Sequence, residues 1–147
     1  MWAISSIILK IKLQKSQNKI DFMAEALFEA QQAYSKGFVP VGAVLIHNHR
    51  IISRSHNLNK PLDHAELLCL QEAGKVLSPY ELSQSFIYVT LEPCIMCMGA
   101  ISLSGIKIVY FGAYSEKSIL IPQTEIYGGI KEIACSSLLK DFFKSKR

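Results

Sequence analysis

The sequence predicts one α/β domain, a sheet with parallel pairing in it and helices on its faces. Three observations carry this expectation. Apolar residues alternate between helical and strand periods along most of the chain. A strand–helix–strand run over residues 86–112 calls for a crossover between parallel neighbours, and two β-branched runs near residue 46 are spaced as a hairpin.

The elements follow in order. From Phe22 to Lys36 the residues Met23, Ala26, Leu27, Ala30 and Ala33 recur on one helical stripe, with Asp21 as N-cap and Gly37 as stop. VPVGAVLIHNHRIISRSHN then holds two strands, Val41 to Ile46 and Ile51 to Ser55, joined across His47–Arg50, where Asn48 suits a turn. His64 to Ala73 reads as a helix with Leu67, Leu70 and Ala73 toward a core and Gly74 as its stop. Phe86 to Leu91 is a strand, Ile95 to Ser104 a buried helix and Lys107 to Gly112 another strand. Beyond Tyr114 the pattern blurs through a loop with Pro122, then Glu125 to Tyr127 reads as a short edge strand and Ile130 to Lys144 as a last amphipathic helix.

At 147 residues and 50% hydrophobic, the chain has material for one core without staples. Four cysteines would permit two disulfides in a secreted protein, but no small-residue cleavage site follows an apolar run. The expectation is a reducing, cytoplasmic setting. Residues 1–20 carry four lysines and no acid; their apolar part is too short and too interrupted to span a bilayer, and they lack the arginine of a transit peptide. They read as a loosely ordered N-terminal extension, and residues 21–147 as the domain. The net charge of +4 does not argue for nucleic acid by itself, because residues 21–147 hold 12 basic and 12 acidic side chains. The later basic cluster, Lys140, Lys144, Lys146 and Arg147 around Phe142 and Phe143, taken alone reads as the solvated end of a helix.

Two short strings carry the chemistry: HAE at His64–Glu66 and PCIMC at Pro93–Cys97, with 29 residues between His64 and Cys94. Hydrolysis at zinc needs three protein ligands, an open fourth position for water, and a carboxylate nearby that does not bind the metal. Cys94 and Cys97, at i and i+3, present both sulfurs to one side at a helix start, where the positive helix end favours thiolates. His64 and Glu66, at i and i+2, would diverge in mid-helix and converge only if His64 stands at the helix entrance, a position that Asp63 just before it suits. Two thiolates and a neutral imidazole balance Zn²⁺, which draws the pKa of bound water from 15.7 toward roughly 7. Glu66 is then the group that moves the proton.

Each part has a plainer reading. A lone CxxC is often a redox pair or half of a structural zinc site, and a lone Glu66 is most often a solvated helix residue. A structural site needs a fourth ligand, for which His47, His49, His56, Cys69 and Cys135 are the candidates; the two cysteines fall among apolar helix residues and read as packing, and the histidines as surface residues.

The combination HxE and PCxxC is that of zinc nucleobase deaminases. Here the chain resembles the cytidine-deaminase-like superfamily and, within it, the bacterial tRNA-specific adenosine deaminases, which convert a wobble adenosine to inosine. The likeness runs from about Phe22 to the C-terminus through VPVGAVLI, HAE, YVTLEPCIMCMGAI, VYFGA and LLKDFF, in family order. It implies a three-layer fold with a mixed five-stranded sheet, one zinc ion held by His64, Cys94 and Cys97, and Glu66 as proton shuttle. It further implies base contacts from Asn57 and the Ala65 backbone N–H, pocket walls from Val41 and Leu91, a tRNA anticodon stem-loop as partner, a homodimer, and a C-terminal helix used near the RNA.

Two departures from the family stand out. Asn57 and His64 are seven positions apart, shorter than the family's usual spacing, which makes Asn59 a rival for the base contact. Tyr114 and Ser115 follow FGA where the family commonly has an acidic residue, a change that bears on RNA-backbone contacts and not on the metal. Two other functions share the motifs: a deaminase of a free base, nucleoside or nucleotide, and a non-catalytic zinc module or inactive partner subunit. Glu66 counts against the second, since a scaffold has no use for an unligated carboxylate beside an open coordination site.

Overall fold

The computed structural model describes residues 20–117 and 123–146. The extension expected over residues 1–20 lies outside them apart from Ile20, as does the part of the expected loop that holds Pro122. The elements are α1 (Phe22–Ser35), β1 (Gly42–His47), β2 (Arg50–His56), α2 (Ala65–Gly74), α3 (Pro79–Ser83), β3 (Phe86–Leu91), α4 (Ile95–Leu103), β4 (Ile108–Ala113), β5 (Glu125–Tyr127) and α5 (Glu132–Ser145).

The five strands form one mixed sheet in the order β2-β1-β3-β4-β5. β1 pairs antiparallel with both β2 and β3, whereas β3/β4 and β4/β5 are parallel, the α4 crossover between β3 and β4 being the one expected from the alternation. The hairpin closes through Asn48 and His49, both with positive φ, between the paired residues His47 and Arg50. This is the two-residue loop whose twist matches that of the strands.

Strand alternation sorts the side chains onto two faces. Ala43, Leu45, Ile87, Val89, Val109 and Phe111 bury against Ala65, Cys69 and Ala73 of α2 and Met98 and Ile101 of α4. Val44 and Ile46 face the other way, against Met23 and Ala26 of α1, in a cluster that also holds Cys135 of α5. The result is the three-layer α/β architecture expected from the sequence. Contact on the α1 side is close: a Cβ on Gly42 would stand 2.0 Å from the Ala26 carbonyl oxygen. Backbone approaches backbone there, which only glycine permits.

Helix ends explain most boundaries. The Asp21 side chain accepts from the Ala24 N–H at 3.0 Å, and after α1 Gly37 takes φ +80 while Phe38 N–H reaches back to the Ala33 carbonyl. That is a Schellman end, as the glycine suggests. Gly74, expected as the stop of α2, is instead its last helical residue, with Lys75 as cap. The short α3 was not foreseen, although Ser78–Glu81 with Pro79 inside is a capping box with proline in its first turn.

This arrangement places the site. β1 begins beside the end of β2 (Gly42 opposite His56) and beside the end of β3 (Ala43 opposite Val89), and parallel β4 ends next to β3 (Ala113 opposite Leu91). The carboxyl ends of β2, β3 and β4 therefore share one edge, where crevices form in α/β sheets.

Candidate active site

Two helix N-termini converge at this edge. His64 is the N-cap of α2 and Cys94 the N-cap of α4; both have extended backbone, and neither side chain caps its own helix. Their ligand atoms are thus free to face each other. Cys94 Sγ and Cys97 Sγ lie 3.6 Å and 3.4 Å from His64 Nδ1, and the three atoms lie within 4.8 Å of one another. Around a tetrahedral zinc with bonds of about 2.3 Å to sulfur and 2.0–2.1 Å to nitrogen, the nitrogen–sulfur separation comes to about 3.5 Å. The donors present fit such an ion.

Among the described residues, this is the one group of three or more His, Cys, Asp or Glu side chains spaced to hold a metal. The residues considered as a fourth ligand lie outside this group, with His49 exposed in the hairpin turn and the other four engaged elsewhere. Cys69 packs under β2 against Ser53, Cys135 lies under Gly112, His56 meets Glu29 and His47 faces Glu81. A three-ligand group leaves a position for a small molecule, which separates it from a closed structural site.

Glu66, in the first turn of α2, is 3% exposed and beside Cys97. Burial pushes its carboxyl up to about 7; hydrogen bonds from its own backbone N–H and from Cys97 oppose the shift. The Cys97 thiol is pushed well above its ordinary range, chiefly by burial and then by the neighbouring Glu66 and Cys94. These shifts describe the side chains without an ion. A dication would favour the thiolate and carboxylate forms.

The group opens into a cleft of about 640 Å³ lined by His64, Glu66 and Cys94 together with Val41, Asn57 and Leu91. Six of the residues singled out in the sequence thus meet there, with Cys97 buried in α4 close by. Asn57 Oδ1 accepts the Ala65 N–H at 2.8 Å, which joins the two expected base contacts into one unit. Since a backbone N–H only donates, the atom facing it is the amide oxygen, and the Nδ2 hydrogens remain for other partners. Asn59 is exposed and is not part of the cleft lining. A larger hollow of about 960 Å³ between α1 and the start of α5 contains no histidine or cysteine.

Val39, Glu92, Ile95, Glu116 and Lys117 also line the cleft and were missed in the sequence; Ser115, singled out only for RNA-backbone contacts, lines it too. Ile95 carried a signal: a large apolar side chain inside the PCIMC string, here 71% exposed at the cleft mouth. Glu92 accepts the Ser115 N–H at 3.2 Å, so the residue after FGA-Tyr docks onto the strand leading to Cys94. Of the basic tail, Phe142 packs edge-on against Tyr34 and is buried, while Phe143 is half exposed.

Residues 17–147 match the family model described as MafB19-like deaminase. The chain is also 41% identical over 143 residues to a tRNA-specific adenosine deaminase of Bacillus subtilis, covering 86% of this chain and 89% of that one. The chain belongs to the deaminase family that includes the tRNA-specific adenosine deaminases. A second member, a tRNA-specific adenosine deaminase of Rickettsia bellii, is 40% identical over 144 residues, covering 85% of this chain and 99% of that one. Among solved structures, one from a study of A-to-I editing by tRNA:A34 deaminases at the wobble position superposes with a TM-score of 0.73 at 36% identity, over 80% of this chain and 98% of that chain. The resemblance read from the sequence motifs is borne out.

Proposed function

We propose that the protein hydrolyses adenosine to inosine at the wobble position of a tRNA anticodon, with residues 21–147 as a zinc-dependent deaminase domain. The observation that carries this reading is a His64–Cys94–Cys97 group spaced to hold a metal, with a buried Glu66 beside it and outside the ligand set, in a cleft of about 640 Å³, in a chain about as long as the relatives named for that reaction.

His64 Nδ1, Cys94 Sγ and Cys97 Sγ would hold a zinc ion, which when bound would supply Lewis-acid activation of water. Glu66 takes the proton of the attacking water at its carboxylate as oxygen adds to C6 of the adenine and delivers it to N1; it then takes the proton of the new C6 hydroxyl and passes it to the 6-amino group, which leaves as ammonia as the C6 carbonyl forms. The sum is adenosine plus water to inosine plus ammonia. Val41 and Leu91 sandwich the splayed base, and Asn57, held by the Ala65 N–H, offers its Nδ2 hydrogens to a ring acceptor. Ile95 and Lys117, which also line the cleft, meet the flanking nucleotide and a phosphate in this reading.

The working form is a homodimer in the cytoplasm. Among the described residues, no helix is long and apolar enough to cross a membrane. The test offers the protein an anticodon stem-loop RNA with adenosine at the wobble position beside free adenosine, cytosine and guanine, and measures ammonia and inosine. Deamination confined to the RNA supports the reading; turnover of a free base at a comparable rate replaces it with a free-base deaminase.

A further inference from the structure

Glu29 of α1 is 8% exposed, an uncommon burial for a carboxylate, and the deamination chemistry gives it no task. Its two oxygens are both used: Oε1 accepts from Arg54 Nε at 3.1 Å and Oε2 from His56 Nδ1 at 2.8 Å. The other nitrogen of His56, Nε2, lies 3.0 Å from Lys36 Nζ. A lysine ammonium has only protons to give, so Nε2 accepts and Nδ1 carries the hydrogen that Glu29 receives. The ring is held at both nitrogens.

His56 is the last residue of β2 and precedes Asn57. The Asn57 N–H donates to the Val41 carbonyl at 3.0 Å, and its side-chain oxygen receives the Ala65 N–H, immediately between His64 and Glu66. Opposite His56 in the sheet stands Gly42, the point where α1 touches β1 without intervening side chains. A path of direct contacts therefore runs from α1 through Glu29, His56 and Asn57 to the start of α2.

We propose that Glu29 and His56 are positioning residues that fix the end of β2, and with it the orientation of the Asn57 amide in the cleft, Lys36 setting the tautomer of the ring. The catalytic part of this inference rests on reading the cleft as a deaminase site; the geometric part does not. Orientation of a base-contacting group matters because small misplacements lower the rate steeply.

The experiment uses the full chain loaded with zinc and compares His56→Phe, His56→Asn, Asn57→Ala and the double variant His56→Phe/Asn57→Ala. One readout is kcat/KM on the wobble-adenosine stem-loop, the other the hydrogen exchange of the Ala65 amide followed by NMR. His56→Phe is expected to lower kcat/KM about tenfold to a hundredfold and to speed Ala65 exchange, with zinc content and the exchange of interior α2 amides unchanged. His56→Asn, whose amide hydrogens stand near the place of Nδ1–H, restores most of both. In the double variant the two losses do not add, because both act through Asn57. Glu29→Gln, of unchanged volume, carries the same expectation for Ala65 should the phenylalanine variant fold poorly. Unchanged Ala65 exchange in both variants, fully additive losses, or an asparagine variant as impaired as phenylalanine overturns the proposal. If the wild-type protein leaves the RNA untouched while Ala65 exchange responds as stated, the wobble-adenosine reading falls and the positioning pair stands.

Discussion

Cys97 Sγ lies 3.4 Å from His64 Nδ1 although 33 positions separate them in the chain. The sheet produces this contact by setting the carboxyl ends of β2 and β3 at one edge, so that the helices that follow begin side by side. A metal bound here must displace the proton of a thiol whose pKa burial has raised. Zinc affinity is therefore expected to fall as pH falls, with proton release on binding. Competition against a chromophoric chelator at about pH 6 and about pH 8 checks this, and an affinity equal at both would count against thiolate ligation.

Glu66→Gln is expected to keep zinc and fold while lowering turnover by about two to four orders of magnitude, the usual worth of a positioned proton carrier. Single-turnover measurement with the stem-loop RNA gives the number. Loss of zinc in this variant would move Glu66 from proton transfer to metal binding.

The same carboxyl makes the metal-free protein sensitive to pH. Its pKa is raised to about 7 in the folded chain from an ordinary 4.5, so between these values the folded state holds a proton that the unfolded state has released. Stability from this group is fully present below the lower value and lost as pH rises through the upper one, about 3 kcal/mol at most. Urea unfolding after chelation should show this decline, and Glu66→Gln should flatten it. An equal decline in both proteins assigns it to other groups.

Gly42→Ala tests the seat of α1 on the sheet. The added methyl would stand 2.0 Å from the Ala26 carbonyl oxygen and 2.5 Å from the Ala30 nitrogen, both backbone atoms with no side-chain freedom to yield. A loss of about 1–3 kcal/mol or more is expected in urea unfolding, as for overpacked cores. A neutral effect would mean that α1 shifts freely, and would weaken the path from Glu29 to Asn57 as well.

The fold was legible where local pattern and long-range packing agree. Phe86–Leu91 and Glu125–Tyr127 appear in the structure with the expected bounds, because each has one face more buried than the other, which keeps the period of two in the sequence. The metal group was legible because its two strings sit at helix entrances, where chain spacing alone fixes which way side chains face. The cleft walls beyond it were legible only in part: Val41, Asn57 and Leu91 were expected there, the residues after β4 were not. Ser115, Glu116 and Lys117 reach the site through the turn after β4, where the Ser115 N–H donates to Glu92, a tertiary contact without a sequence period. His56 read as a surface residue because the partner that buries it, Glu29, lies on a different element, 27 positions away.

The central claim is that one histidine and two cysteines hold an ion beside a carboxylate that stays free of it. The most direct measurement is a crystal structure of the purified protein with anomalous data on either side of the zinc edge. The account predicts one zinc peak bonded to His64 Nδ1, Cys94 Sγ and Cys97 Sγ, a water as fourth ligand, and the Glu66 carboxylate near that water but off the metal. A fourth protein ligand on the ion, or a Cys94–Cys97 disulfide with no zinc peak, would contradict it.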